Sequence, residues 1–276
     1  QVRRMHVEDF PFAVQLANTM DWNMTEYDFK FNQSLEPDGC FTLLHNHERV
    51  GIATCINYGK IGWFGNLVVE TKHRGKGAGS FLVNHAVEYL RNKGVESVGI
   101  YAYKHLPKFY GDIGFKAQDE FGLFSGQITK ATPQDGPQQA HKRDIMPLIE
   151  FDRQCFGWNR QKLIEAILCP ETNVCYYYAS SGKIIGFVMA KVYDEMAEIG
   201  PLVSYPNPEV AAKLLSQVLY HLKGLEVYVC IPIDEIGLLE SLSTAGLKER
   251  FRLTRMFLGS IITQNCVCVP ESLERG

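Results

Sequence analysis

Between Asn66 and Leu90 the chain reads NLVVETKHRGKGAGSFLVNHAVEYL, a β-forming run that passes through a basic, glycine-rich turn into residues spaced for a helix. The turn is Arg74-Gly75-Lys76-Gly77-Ala78-Gly79-Ser80, and Phe81, Leu82, His85, Ala86, Tyr89 and Leu90 then recur at intervals of 3 and 4. Glycine lets a backbone approach a ligand closely, and a helix N-terminus presents unpaired N–H groups at the positive end of its dipole. Such a turn suits a phosphate or pyrophosphate, with Lys72, Arg74 and Lys76 adding charge. Spacing sorts the known phosphate loops. A Walker loop needs Ser or Thr after its Gly-Lys pair, whereas Gly77 follows Gly75-Lys76. The dinucleotide fingerprint sits inside a parallel βαβ unit, whereas this turn follows three runs patterned as an antiparallel meander.

Those runs are CFTLLH (40–45), RVGIATCINY (49–58) and IGWFGNLVVE (61–70), preceded by helical spacing over Val7–Met20 and Thr25–Phe31. After the glycine-rich turn and its helix come the strand SVGIYAY (97–103), a short helix ending at Gly114, and a last strand from Phe115. A Pro-, Gln- and Gly-rich stretch, TKATPQDGPQQA (129–140), reads as a linker. The same order then repeats: strands at 175–180, 183–193 and 197–205, a helix over Glu209–Leu222, a strand at 225–231 and a helix over Asp234–Ala245. Gly114 and Gly246 fall at matching places, which indicates an internal duplication. The division predicted is 1–130, a linker at 131–140, and 141–276.

Composition narrows the function classes. With 46% apolar and 21% charged residues the chain is an ordinary globular one, and 28 basic against 31 acidic side chains give −3, too weak a field to hold a polyanion. Nucleic acid is therefore not an expected partner, and neither is a membrane, since no window approaches the roughly 18 continuous apolar residues of a span. The opening QVRRMHVEDF lacks a signal-peptide core, so a cytoplasmic location is expected. The eight cysteines, at 40, 55, 155, 169, 175, 230, 266 and 268, include no CxxC pair; free, buried thiols and no metal are the expectation.

The pattern Arg74-x-x-Gly77-x-Gly79 after a strand resembles the coenzyme A loop of the GCN5-related N-acetyltransferase (GNAT) family, and KFYGDIGFK (108–116) resembles that family's segment in which a tyrosine precedes a Gly-Phe pair. Asp21-Trp22-Asn23-Met24-Thr25, the Trp63 strand and Thr254-Arg255-Met256-Phe257 look like a tandem subgroup with a second, degenerate acetyltransferase-like domain. The resemblance spans nearly the whole chain. It implies an α/β architecture of two tandem GNAT-like domains, each a mixed, mostly antiparallel sheet with a splayed strand pair flanked by helices. It further implies acetyl-CoA as acyl donor, with Leu67, Val68 and Val69 beside the pantetheine arm, Arg74, Gly75, Lys76, Gly77, Ala78, Gly79 and Ser80 around the pyrophosphate, and a Leu67 or Val69 N–H toward the oxyanion.

In such an enzyme a neutral amine attacks the thioester directly, and an acid protonates the departing thiolate. Tyr110 is the candidate acid, with ring packing against the cofactor as its plainer role. For the base, the strand before the turn holds no carboxylate until Glu70, leaving Glu70, His105 or a water relay. Trp22 and Asn23 are candidate contacts for a small amine or amino-acid-like acceptor. In the second half the turn Ser204-Tyr205-Pro206-Asn207-Pro208-Glu209 has no glycine, and Leu242 stands where Tyr110 does. That half is expected to have lost the cofactor, and to help form the acceptor pocket or a homodimer surface, for which Phe156, Trp158, Tyr176, Tyr177 and Tyr178 are candidates, with alternating core tyrosines as the plainer reading. The rival reading is a non-catalytic acyl-CoA-binding sensor whose second domain contacts another protein.

Overall fold

A computed structural model describes residues 1–262 and 266–276. The first half runs β1 (Val2–Arg4), α1 (Phe10–Asn18), α2 (Glu26–Leu35), β2 (Cys40–His45), β3 (Glu48–Asn57), β4 (Ile61–Val69), α3 (Ala78–Asn92), β5 (Ser97–Tyr103), α4 (Pro107–Ile113) and β6 (Lys116–Gln127). Past the linker, whose end forms β7 (Gln138–Gln139), come α5 (Ile145–Phe156), α6 (Gln161–Leu168), β8 (Val174–Ser180), β9 (Lys183–Tyr193) and β10 (Met196–Ser204). The chain finishes with α7 (Pro208–His221), β11 (Glu226–Pro232), α8 (Ile236–Ala245), β12 (Lys248–Leu258) and β13 (Val267–Val269). Among the described residues no helix is long and apolar enough to cross a membrane.

The sequence order repeats as expected, but the strands interlock. All pair into one mixed sheet ordered β1-β2-β3-β4-β5-β12-β6-β11-β10-β9-β8-β7, with β13 attached to β10. β12, from the second half, lies antiparallel between β5 and β6 of the first, pairing Leu253 with Tyr103 on one side and with Phe121 on the other. β6 in turn pairs with β11, Phe124 opposite Val229. Each half thus lends its last long strand to the other, and the division at the linker does not divide the sheet. One of the apolar cores also crosses the halves, packing Phe31, Ile56 and Trp63 with Leu148, Phe151, Leu163 and Met189. Lys162 of α6 donates to Glu36, at the end of α2, across 2.7 Å.

Two expectations need correction. The buried stripe of α3 is Leu82, Val83, Ala86, Val87 and Leu90, while Phe81 is 54% exposed. Both stripes have helical spacing, and the sheet face selects the one rotated by a residue. The cysteines are also not all free, because Cys155 at the end of α5 is bonded to Cys266, their Cα atoms 5.6 Å apart. The fold brings together residues 111 apart in sequence, a pairing that no local spacing rule reveals.

The interlock makes a direct prediction. A fragment of residues 1–130 leaves one edge of β5 and both edges of β6 without their partners, and open strand edges template aggregation. It is expected to elute as aggregate in size-exclusion chromatography, whereas co-expression with 131–276 should restore a soluble one-to-one complex.

Candidate active site

β4 and β5 run parallel and pair only at their start, Ile61 with Ser97 through Trp63 with Gly99; beyond that point they separate. On the other side of β4 the register with β3 slips between Ile52 and Thr54, marking a bulge. Asn66 forms it with φ +49°, a left-handed conformation that Asn tolerates better than most residues, and its Nδ2 donates to Thr54 Oγ1 at 3.1 Å. A bulge re-aims the backbone groups next to it. The opening continues into a cavity of about 320 Å³ lined by Gly65, Asn66, Leu67, Tyr101, Tyr103 and Tyr110 of the first half. Leu67 is therefore in the wall, while Val68 and Val69 are buried in the flanking cores.

The glycine-rich turn lies at the C-terminal end of β4. Gly75 and Gly77 have φ +72° and +82°, and a Cβ at either would meet nothing within 4 Å. The backbone is open to a ligand there. Gly77 caps α3 without a side chain, and the first N–H groups of that helix, from Ala78, Gly79 and Ser80, lack acceptors within it. This arrangement fits a pyrophosphate. Arg74 Nε donates to the Val69 carbonyl at 2.7 Å and Lys76 Nζ to the Lys72 carbonyl at 3.0 Å, so both cations fold back over the turn.

Tyr110 of α4 is buried and in the cavity wall, where burial pushes its phenol above the ordinary value of 10. It holds its proton at neutral pH. Trp22 also lines the cavity and donates from Nε1 to the Tyr103 hydroxyl at 2.6 Å. Asn23 is beside it with φ +52°, in a loop closed by reciprocal bonds between Asn18 and the Met24 backbone. Thr25 and Asp28 form the capping box of α2. The two base candidates lie elsewhere: His105 is exposed in a turn, its ring stacked on Tyr103, and Glu70 approaches Lys72 at 3.3 Å. Neither lines the cavity.

At the equivalent places the second half is closed. β10 and β11 pair in parallel from Met196 with Glu226 to Ile199 with Val229, and then β13 pairs antiparallel with Leu202–Ser204 on the side of β10 away from β9. The gap that stays open in the first half is filled here by the chain's own strand. Helix α7 begins with Asn207, whose side chain accepts from the Glu209 and Val210 N–H groups, so its end is capped internally. Leu242, fully buried in α8, stands where α4 has Tyr110.

Sequence reasoning missed the segment after β13. Residues 270–276, PESLERG, fold into a turn whose Pro270–Glu274 stretch lines the cavity. Lys191 of β9, Glu271 and Arg275 are each about fully buried; Lys191 Nζ contacts Glu271 at 2.6 Å, and Arg275 bonds both Glu271 and Asn32 of α2. Arg160 bonds Asp152 and the Gly276 carbonyl. The tail is thus tied to both halves. Tyr193, Glu198, Tyr228 and Phe251 also line the cavity. A short charged run with no periodicity carries no signal for burial, and nothing local ties these residues to the first half.

Residues 1–115 match the profile described as "Acetyltransferase (GNAT) family" and residues 148–266 the one described as "Acetyltransferase (GNAT) domain". The chain belongs to the GNAT family, as a tandem of two such domains, and is an acyltransferase of that class. It is similar to holothin acyltransferase of Pseudoalteromonas sp. (strain SANK 73390), 24% identical over 92% of this chain and 86% of that protein. In fold it is similar to a Pyrococcus horikoshii protein solved as a candidate acetyltransferase, with TM-score 0.83, 21% identity and coverage of 100% of this chain and 95% of that one. It is also similar to a tandem GNAT protein from the clavulanic acid biosynthesis pathway, with TM-score 0.62, 13% identity and coverage of 96% and 99%.

The tail's ionic cluster predicts an acid limit to stability. Burial acts to raise the Glu271 carboxyl, but Arg275 and Lys191 outweigh it and hold it down to about 2, from an ordinary 4.5. A carboxyl depressed by folding contributes its full stability above the unfolded value and loses it as pH falls through the folded one. Melting temperature should therefore drop steeply between about pH 4.5 and 2. Glu271→Gln should melt lower at pH 7, with a shallower slope through that window.

Proposed function

We propose that the chain is an acetyl-CoA-dependent N-acyltransferase with one active site, in the first half, that acylates a small amine or amino-acid-like acceptor by direct attack. The observation carrying this reading is the open splay, the single one among the described residues, where β4 leaves β5 beside the uncapped start of α3. Acetyl-CoA supplies the acyl group as a thioester. The amides from Gly75 to Ser80 offer donors to its pyrophosphate, and the Leu67 backbone in the cavity wall offers pairing to its amide-bearing arm. A Leu67 N–H aimed by the bulge serves the oxyanion. Tyr110 Oη, held protonated by burial, gives its proton to the leaving sulfur. Trp22 and Asn23, which line the cavity, contact the acceptor. Aromatic walls with Glu198, Asp21 and Asp28 among them favour an amine that carries an apolar body.

Calorimetry with acetyl-CoA tests the loop. One site per chain is expected, and Gly77→Val, at a positive-φ position where a branched side chain is strained and blocks the backbone, should abolish most of the affinity while leaving the fold intact. Tyr110→Phe should retain acetyl-CoA affinity and lower kcat by about 10²–10⁴-fold in an assay of thiol release with an amine panel. Binding at two sites, or binding indifferent to Gly77, would refute the single-site reading.

A further inference from the structure

The first half supplies an acid and leaves the base unassigned. Strand β4 has no carboxylate from Ile61 to Val69, and Glu70 and His105 lie outside the cavity. A carboxylate-bearing residue does pack beside the bulge, from the turn after β13. The backbone of Glu274 runs so close to β4 that a Cβ added at Gly65 would collide with its Cα and Cβ atoms. Gly65 immediately precedes Asn66, the bulge residue, so the absence of a side chain at 65 is what admits Glu274 to this place. Its side chain is 15% exposed and lines the same cavity as Leu67 and Tyr110. Arg275 Nη1 approaches Glu274 Oε1 at 2.7 Å and is itself held by Glu271 and Asn32, which fixes the carboxylate in position.

We propose that Glu274, brought across the interlocked halves by the tail, is the general base that takes the proton of the acceptor amine. The inference rests on the N-acyltransferase reading above. As the nitrogen lone pair bonds to the acyl carbon, the nitrogen becomes positive and its N–H acidic enough for a carboxylate to accept. The C–S bond breaks with its electron pair on sulfur, which takes the Tyr110 proton. The amine proton resides on Glu274, and both groups return to their starting states by exchange with solvent. Burial raises the Glu274 carboxyl above its ordinary 4.5; Arg275 opposes this, Glu271 and Glu198 add to it, and Lys191 opposes it. A raised carboxylate is the stronger base. The other titratable groups facing the cavity are Asp21 and Asp28 at the entry to α2, the phenols Tyr101, Tyr103, Tyr110, Tyr193 and Tyr228, and the free thiol of Cys230 on β11.

The test compares wild type, Glu274→Gln and Glu274→Asp, using acetyl-CoA and an amine that the wild type turns over. Glu274→Gln is expected to lower kcat by about 100-fold or more while melting temperature and acetyl-CoA affinity stay put. The wild-type rate should rise with pH through one ionisation and level off, and the Gln variant should lose that ionisation. Glu274→Asp should keep it and recover part of the rate. Wild-type turnover and an unchanged pH profile in Glu274→Gln would overturn the base and leave the transferase reading standing. Loss of acetyl-CoA affinity and melting temperature in both variants alike would also overturn it, making Glu274 an anchor of the tail. A wild type that binds acetyl-CoA yet acylates no amine would overturn the transferase reading and the base together.

Discussion

The hydrogen-bonded ladder β5-β12-β6-β11 is the constraint on which the rest depends. Backbone groups buried in a sheet must be paired, and here β5 and β6 share a partner, β12, that lies more than a hundred positions later in the chain. Because each half closes on the other's strand, neither positions its helices alone. The cavity follows from that closure: Leu123 of β6 and Phe251 of β12 enter its wall only because the two strands lie side by side between β5 and β11.

Duplication and divergence are visible at the two splays. Both halves carry a parallel pair that opens after three or four residues. In the first, an uncapped helix and a glycine turn leave the opening accessible. In the second, β13 occupies the space, Asn207 satisfies the helix, and the same run of chain continues to the first half's strand β4. The second half thus closes its own splay and packs Glu274 against β4, with Lys191, Arg275 and Glu271 offsetting one another's burial. Breaking such a buried cluster by removing one member costs about 3–5 kcal/mol, which is why it holds a short tail so firmly.

Much of this was legible in the residues. The glycine-rich turn and the repeated element order follow from local chemistry, since αL glycines, helix spacing and strand alternation act within a few residues, whereas the α4 tyrosine is marked by the family resemblance of its segment. The strand exchange was not, because β6 and β12 have the same pattern whichever partner they take. Nor was the Cys155–Cys266 bond, nor the role of PESLERG, whose charges resemble a solvated terminus until Lys191 and Asn32 are brought to meet them. Gly65 was read as part of a strand; its meaning is the close approach of Glu274.

The interlock also sets a schedule for synthesis. As the chain leaves the ribosome, β1 to β5 can pair in order, but the far edge of β5 waits for residues 248–258, and Gly65 waits longer still for the turn that packs on it. Long-range pairing of this kind is slow to form, and the nascent chain carries an uncovered strand edge throughout. The cavity, walled by both halves, therefore takes shape only after β12 and the turn that packs on Gly65 have been made, so its first-half wall stays open to water through most of synthesis.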